Sequence, residues 1–110
     1  MTNIVVAAII LIAHIESNGD PNAIGDHGRA VGYLGTHMCM VREVNRKFHT
    51  HYTGRDRLDP VASAEMAMLF LTDLAEHKNI QDPVVLAGYW NRPASGGSRA
   101  YKRKLRTLVR

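Results

Sequence analysis

Apolar positions along this chain fall into blocks of helical period, separated where glycine, proline or an Asx residue interrupts them. Ile4 to Ala13 is an unbroken apolar run. It predicts a helix reaching Ser17 that is apolar on all sides and sits in the middle of a core. Asn18-Gly19 ends it, because both residues tolerate positive φ. Ala23-Ile24-Gly25 and Arg29-Ala30-Val31 flank Asp26-His27-Gly28 as a short β-hairpin. Thr36 is expected to cap a second helix through about Lys47. His49 to Leu58 is polar, contains Gly54, and predicts a loop.

Asp59-Pro60 and Asp82-Pro83 each place a cap before a proline at the first helical position. The first opens a helix to about Lys78, with Ala67, Phe70, Leu71 and Leu74 on one face. The second opens a short helix ending near Asn91. Arg92 to Gly97 predicts a loop, and Ser98 can cap a last helix in which Tyr101, Leu105 and Leu108 form the buried stripe. The pattern gives an α+β chain, mostly α, with about five helices and a small hairpin after the first.

At 110 residues the expectation is one domain over residues 1–110. The single cysteine, Cys39, excludes an internal disulfide and a zinc site built mainly from thiolates. Charge is unevenly spread. Residues 1–98 carry eight Lys/Arg against ten Asp/Glu, whereas residues 99–110 carry six Lys/Arg and no acid. Such an end either attracts an anionic partner or is the solvated face of the last helix.

The first apolar block raises the question of targeting. Ten residues make about 15 Å of helix against the roughly 30 Å of a bilayer core, so no transmembrane segment is expected. No Lys or Arg precedes the run and no A-x-A-like site follows it, so it lacks the flanks of a signal peptide.

Glu16 is the most informative single residue. It ends an apolar helix, where the negative end of the macrodipole and apolar neighbours (Ile9, Ile12, Ala13) both disfavour its charged form. A carboxyl kept protonated near neutrality is what a general acid needs to protonate a glycosidic oxygen. A frayed, solvated helix end is the plainer alternative. Asp26, at the hairpin turn, is the candidate second carboxylate, with Asp20 behind it; both also suit turn chemistry.

Other constellations fail on spacing. His14-Ile15-Glu16 has the H-x-E step of zinc deaminases without their Pro-Cys-x-x-Cys. His49-Thr50-His51 offers a loop pair with no third metal ligand. No phosphate-binding loop, dinucleotide fingerprint or nucleophile elbow appears.

The block from Ile15-Glu16-Ser17-Asn18-Gly19 through Asn22-Ala23 and Gly32-Tyr33-Leu34 resembles the catalytic motif of the lysozyme-like lytic transglycosylase superfamily, particularly its small phage-type members. Met40-Val41-Arg42-Glu43-Val44-Asn45-Arg46, Asp59-Pro60 and Leu86-Ala87-Gly88-Tyr89-Trp90-Asn91 extend the similarity over nearly the whole chain. The resemblance implies a lysozyme-like fold. It further implies cleavage of the β-1,4 linkage between N-acetylmuramic acid and N-acetylglucosamine, by transglycosylation or hydrolysis.

On that resemblance Glu16 is the catalytic acid, Ser17 orients the site, and Gly32 and Tyr33 line the rim of the sugar groove. Tyr89, Trp90 and Asn91 form the aromatic and amide flank. The pattern departs at Gly35, where the family carries glutamine, and at Arg92-Pro93-Ala94. A second reading is therefore a glycan-binding module of the same fold with weakened catalysis; a basic nucleic-acid-binding domain is a third. The leading reading implies peptidoglycan strands as partner, no nucleic acid, no cofactor or metal, and a monomer. Action would be on the bacterial wall, in the periplasm or from a phage virion.

Overall fold

The computed structural model describes residues 2–109. Helix α1 (Thr2–Glu16) places Val5, Ala8, Ile9, Ile12 and Ala13 on one buried stripe, the spacing of an amphipathic face. Its other side meets solvent, with Val6 and Ile10 43% and 54% exposed. The expectation of burial on all sides is thus corrected. One face of α1 packs against three later helices, and among the described residues Val6 and Ile10 on the opposite face stay exposed. Asn18 and Gly19 close the helix at φ 52° and 84°.

The hairpin follows where the sequence predicts it. Strands β1 (Ile24–Gly25) and β2 (Ala30–Val31) pair antiparallel, with Ile24 opposite Val31 and Gly25 opposite Ala30. A 3₁₀ turn over Asp26–Gly28 joins them. After β2 the chain doubles back in a tight turn: Gly35 N–H donates to the Gly32 carbonyl (3.1 Å), and Val31 and Thr36 exchange two main-chain bonds (3.0 and 3.2 Å). Only glycine fits at 32. A Cβ there would lie 1.8 Å from the Arg57 carbonyl oxygen, at φ +88°.

This turn moves the next helix start. Helix α2 (Met38–Phe48) begins after His37, one residue beyond the expected cap. Thr36 spends its main chain on the bridge to Val31, and its hydroxyl is buried with no hydrogen-bond partner. The predicted loop over 49–58 also contains an element, a 3₁₀ turn at Gly54–Leu58. Asp56 organises it by accepting from the Thr53 N–H (2.7 Å) and hydroxyl (3.3 Å).

Helices α3 (Pro60–Lys78) and α4 (Pro83–Asn91) begin at the two Asp-Pro steps. Asp59 accepts from Val61 N–H at 3.0 Å, and Asp82 from Val84 N–H at 2.9 Å. Helix α5 (Arg99–Leu108) is capped by Ser98, which accepts from Tyr101 N–H at 3.1 Å. Tyr101 and Leu105 are buried, but Leu108 is 44% exposed, so the apolar stripe of α5 ends one turn early.

Five α-helices and one small hairpin among the described residues make the fold α+β and mostly α. Ile12, Leu34, Met66, Leu71, Leu86 and Leu105 are fully buried and form the centre of one continuous core. No described helix is long and apolar enough to cross a membrane. The last turn of α1 therefore ends between the hairpin and the start of α5, and Glu16 stands at that junction.

Candidate active site

Glu16 opens into a cavity of about 270 Å³. The hairpin forms one wall with Gly25, Asp26 and Ala30, beside His37. Asn91, Ser98, Tyr101 and Lys104 form the facing wall. Burial pushes the Glu16 carboxyl up to about 7 from an ordinary 4.5, and the negative charge of Asp26 adds to the rise. The Tyr101 phenol and the Lys104 ammonium oppose it. Near neutral pH the raised value leaves the half-buried Glu16 carboxyl able to give up and take back a proton.

Tyr101 is the closest of these modulators in effect. Its hydroxyl is buried and bears on the Glu16 carboxyl as a donor, yet the arrangement falls short of a well-formed hydrogen bond. Burial and the Glu16 charge together push the phenol's own pKa up, so it stays protonated.

Asp26 lines the same cavity. Its carboxylate sits 3.5 Å from His37 Nε2 and 3.6 Å from Arg29 Nη2. Both Asp26 and His27 take left-handed backbone angles (φ 51° and 57°), a conformation Asp, Asn and His adopt more readily than most residues. Asp20 is elsewhere: it accepts from Asn22 N–H at 2.9 Å and shapes the turn.

The other residues singled out by sequence divide into cavity, groove and scaffold. Asn91 lines the cavity and also ties it together, its side-chain oxygen accepting from Ser98 N–H at 2.9 Å. Ser17 donates to the Tyr33 carbonyl at 2.6 Å and accepts from Gly19 N–H at 3.1 Å, which holds the hairpin's exit against the end of α1. Gly32 is buried beneath Arg57 rather than on an open rim.

Trp90 is 6% exposed and belongs to the core. Its indole donates to the Leu34 carbonyl at 2.8 Å, and its ring meets Phe70 edge-on, centroids 6.1 Å apart. Tyr89 faces away from Glu16, against Gly96 and beneath Lys78 Nζ.

Tyr33 leads instead to a second hollow. It lines a largely apolar groove of about 880 Å³ with Gly19, Pro21, Tyr52, Pro60, Val61, Met68 and Leu69. The one charged residue lining it is Glu65, whose carboxylate accepts from the Tyr52 hydroxyl at 3.0 Å. Sequence reasoning did not single out His37, Tyr52 or Glu65. It counted Lys104 among the basic residues of the last helix that stay clear of the chemistry, a reading corrected by its place in the Glu16 cavity, and it placed Tyr101 in the buried stripe before that basic end. Nothing local in the sequence signals that these residues converge. His49 and His51 join no metal-binding group, since no cluster of three or more His, Cys, Asp or Glu able to hold a metal occurs among the described residues.

A carboxyl whose pKa is raised toward neutrality, at the end of an apolar helix and lining a cavity, can give up and take back a proton near neutral pH. The family model of the transglycosylase SLT domain matches residues 1–105, and the chain belongs to that family. It is a family of lytic transglycosylase type, whose members act on peptidoglycan. No curated protein and no solved structure is similar enough to match.

Proposed function

We propose that this protein cleaves the β-1,4 bond between N-acetylmuramic acid and N-acetylglucosamine in peptidoglycan, with Glu16 as the general acid. The observation that carries the proposal is the Glu16 carboxyl, held near pKa 7 in a cavity between the hairpin and α5. The protonated carboxyl gives its proton to the glycosidic oxygen. The C–O bond breaks as positive charge develops on the sugar ring, and the leaving sugar departs as a neutral alcohol.

Glu16, now a carboxylate, accepts a proton back. In ring closure the proton comes from the sugar's own 6-hydroxyl, whose oxygen attacks the anomeric carbon and forms the anhydro product typical of lytic transglycosylases. In hydrolysis it comes from water, and a second carboxylate assists. Asp26 is the residue that fits that assisting role, since it lines the same cavity.

The aromatic faces of the separate Tyr33–Tyr52 groove suit the C–H surfaces of sugars, which makes that groove the seat we assign to further units of the glycan strand. Ser17 supports Tyr33 through its main chain, and Trp90 acts from the core by holding Leu34. The site of action is the bacterial wall, reached from the periplasm or from a phage virion.

Purified peptidoglycan incubated with the protein should release soluble fragments, and mass analysis identifies their ends. Anhydro-muramic ends mark ring closure; reducing ends mark hydrolysis. Binding to the insoluble wall with no fragment released, even on long incubation, would instead mark a glycan-binding module and overturn the enzymatic reading.

A further inference from the structure

Residue 35 touches the catalytic carboxyl through an absence. An ideal Cβ placed on Gly35 would lie 2.5 Å from Glu16 Oε1, 2.9 Å from its Cδ and 3.0 Å from its Cβ. All three distances are closer than ordinary van der Waals contact. The carboxyl of Glu16 occupies the room that a side chain at 35 would fill.

Backbone conformation does not by itself explain the glycine. Gly35 has φ +57°. Asn18, Asp26, His27, His49 and Asn79 adopt φ between 51° and 57° in the same chain, and all carry side chains. Space distinguishes position 35 from those five.

Neither main chain can easily yield. Gly35 is buried, and its N–H is bonded to Gly32. On either side of it, Leu34 is held by Trp90 and Thr36 by Val31. Glu16 Cβ is fixed to the last turn of α1, so the outer atoms of the side chain must do the moving.

We propose that Gly35 is a positioning residue for the reaction proposed above: the gap left by its missing side chain seats the Glu16 carboxyl against the main chain, away from solvent. The inference about catalysis rests on Glu16 being the acid; the seat itself does not. A methyl at 35 evicts the carboxyl into the open cavity, toward Asp26, His37, Tyr101 and Lys104, the polar groups of the surrounding walls. Burial is the largest cause of the raised Glu16 pKa, so eviction lowers it.

The test is Gly35→Ala beside Gly28→Ala. Gly28 also has a positive φ (+86°), but nothing lies within 4 Å of a Cβ there. It therefore carries the backbone strain without the collision. The Glu16 carboxyl is titrated by carbon NMR in each protein, and wall cleavage is followed against pH.

Gly35→Ala should lower the Glu16 midpoint by at least about one unit toward the ordinary carboxyl range and reduce cleavage at pH 7 by about fivefold or more. Part of the activity should return at pH 5. Gly28→Ala should leave the midpoint in place. Gly35→Gln, which restores the residue of the family pattern, should lower activity for the same reason as Gly35→Ala.

An unchanged midpoint in folded Gly35→Ala overturns the proposal. If Gly35→Ala unfolds, the double variant Glu16→Ala/Gly35→Ala should regain most of the stability of Glu16→Ala, because the two changes share one collision. Failure to regain it also overturns the proposal. A midpoint that moves as expected in a protein that never cleaves wall would leave the seat standing and remove the enzymatic reading.

Discussion

The Trp90 indole N–H donates to the Leu34 carbonyl oxygen at 2.8 Å, joining the fourth helix to the turn that backs Glu16. Both residues are buried. Trp90→Phe keeps most of the ring packing but leaves that carbonyl without its donor. The expected loss is about 1–3 kcal/mol of stability, measured as a lower urea midpoint with an unchanged slope. A midpoint equal to wild type would show that the bond contributes nothing and that the turn is held by packing alone.

Glu16 should weaken the fold as the pH rises. Its folded-state pKa, about 7, lies above the ordinary 4.5. Between those values the unfolded chain releases a proton that the folded chain keeps, so stability falls across the window and stays reduced above it. Glu16→Gln removes the penalty. The variant should match wild type near pH 4 and exceed it at pH 8 by up to about 3 kcal/mol. Denaturation at the two pH values tests this; an equal difference at both would contradict the raised pKa.

Tyr101→Phe removes a donor that favours the ionised carboxyl. The pH above which wall cleavage declines should therefore move upward. At pH 5, where Glu16 is protonated, stability should change little, since the buried hydroxyl lacks a well-formed hydrogen bond. A decline that moves downward would mean that the phenol does not act on Glu16.

Much of the fold is legible in the sequence because its signals are local. Asp59-Pro60 and Asp82-Pro83 fix two helix starts through side chains that bond within two residues. Ser98 does the same for the last helix. Thr36 misleads because its main chain is claimed by Val31, a pairing that local propensity does not register. The turn at Gly54–Leu58 was readable in principle from Thr53 and Asp56.

The site is legible only in part. Glu16 stands out by its helix and its apolar neighbours, and Asp26 by its place at the hairpin turn. Tyr101 and Lys104 reach the cavity from the far end of the chain, and only tertiary packing brings them there. Trp90 looks like a groove aromatic in a motif but is spent on the core. Gly35 looks like a lost side chain, whereas the three-dimensional arrangement fills its place with Glu16.

The basic last helix separates two charge roles. Arg103, Lys104 and Arg106 are all exposed, and Lys104 in addition lines the cavity with Glu16. Arg103→Gln/Arg106→Gln should weaken cleavage of whole walls at low salt, with the deficit shrinking as salt screens exposed charges. Cleavage of a short neutral chito-oligosaccharide should barely change. Lys104→Gln should instead shift the pH dependence upward on either substrate, because Lys104 lowers the Glu16 pKa. Equal losses on both substrates from the two Arg changes would contradict a steering role.

The most direct measurement compares wild type with Glu16→Gln on purified peptidoglycan, with circular dichroism confirming that both are folded. Glutamine keeps the shape and loses the transferable proton. Release of soluble fragments at pH 6 should fall by about 10²–10⁴ while binding to the insoluble wall persists. Equal release by the two proteins would contradict Glu16 as the general acid, and with it the central account of this site.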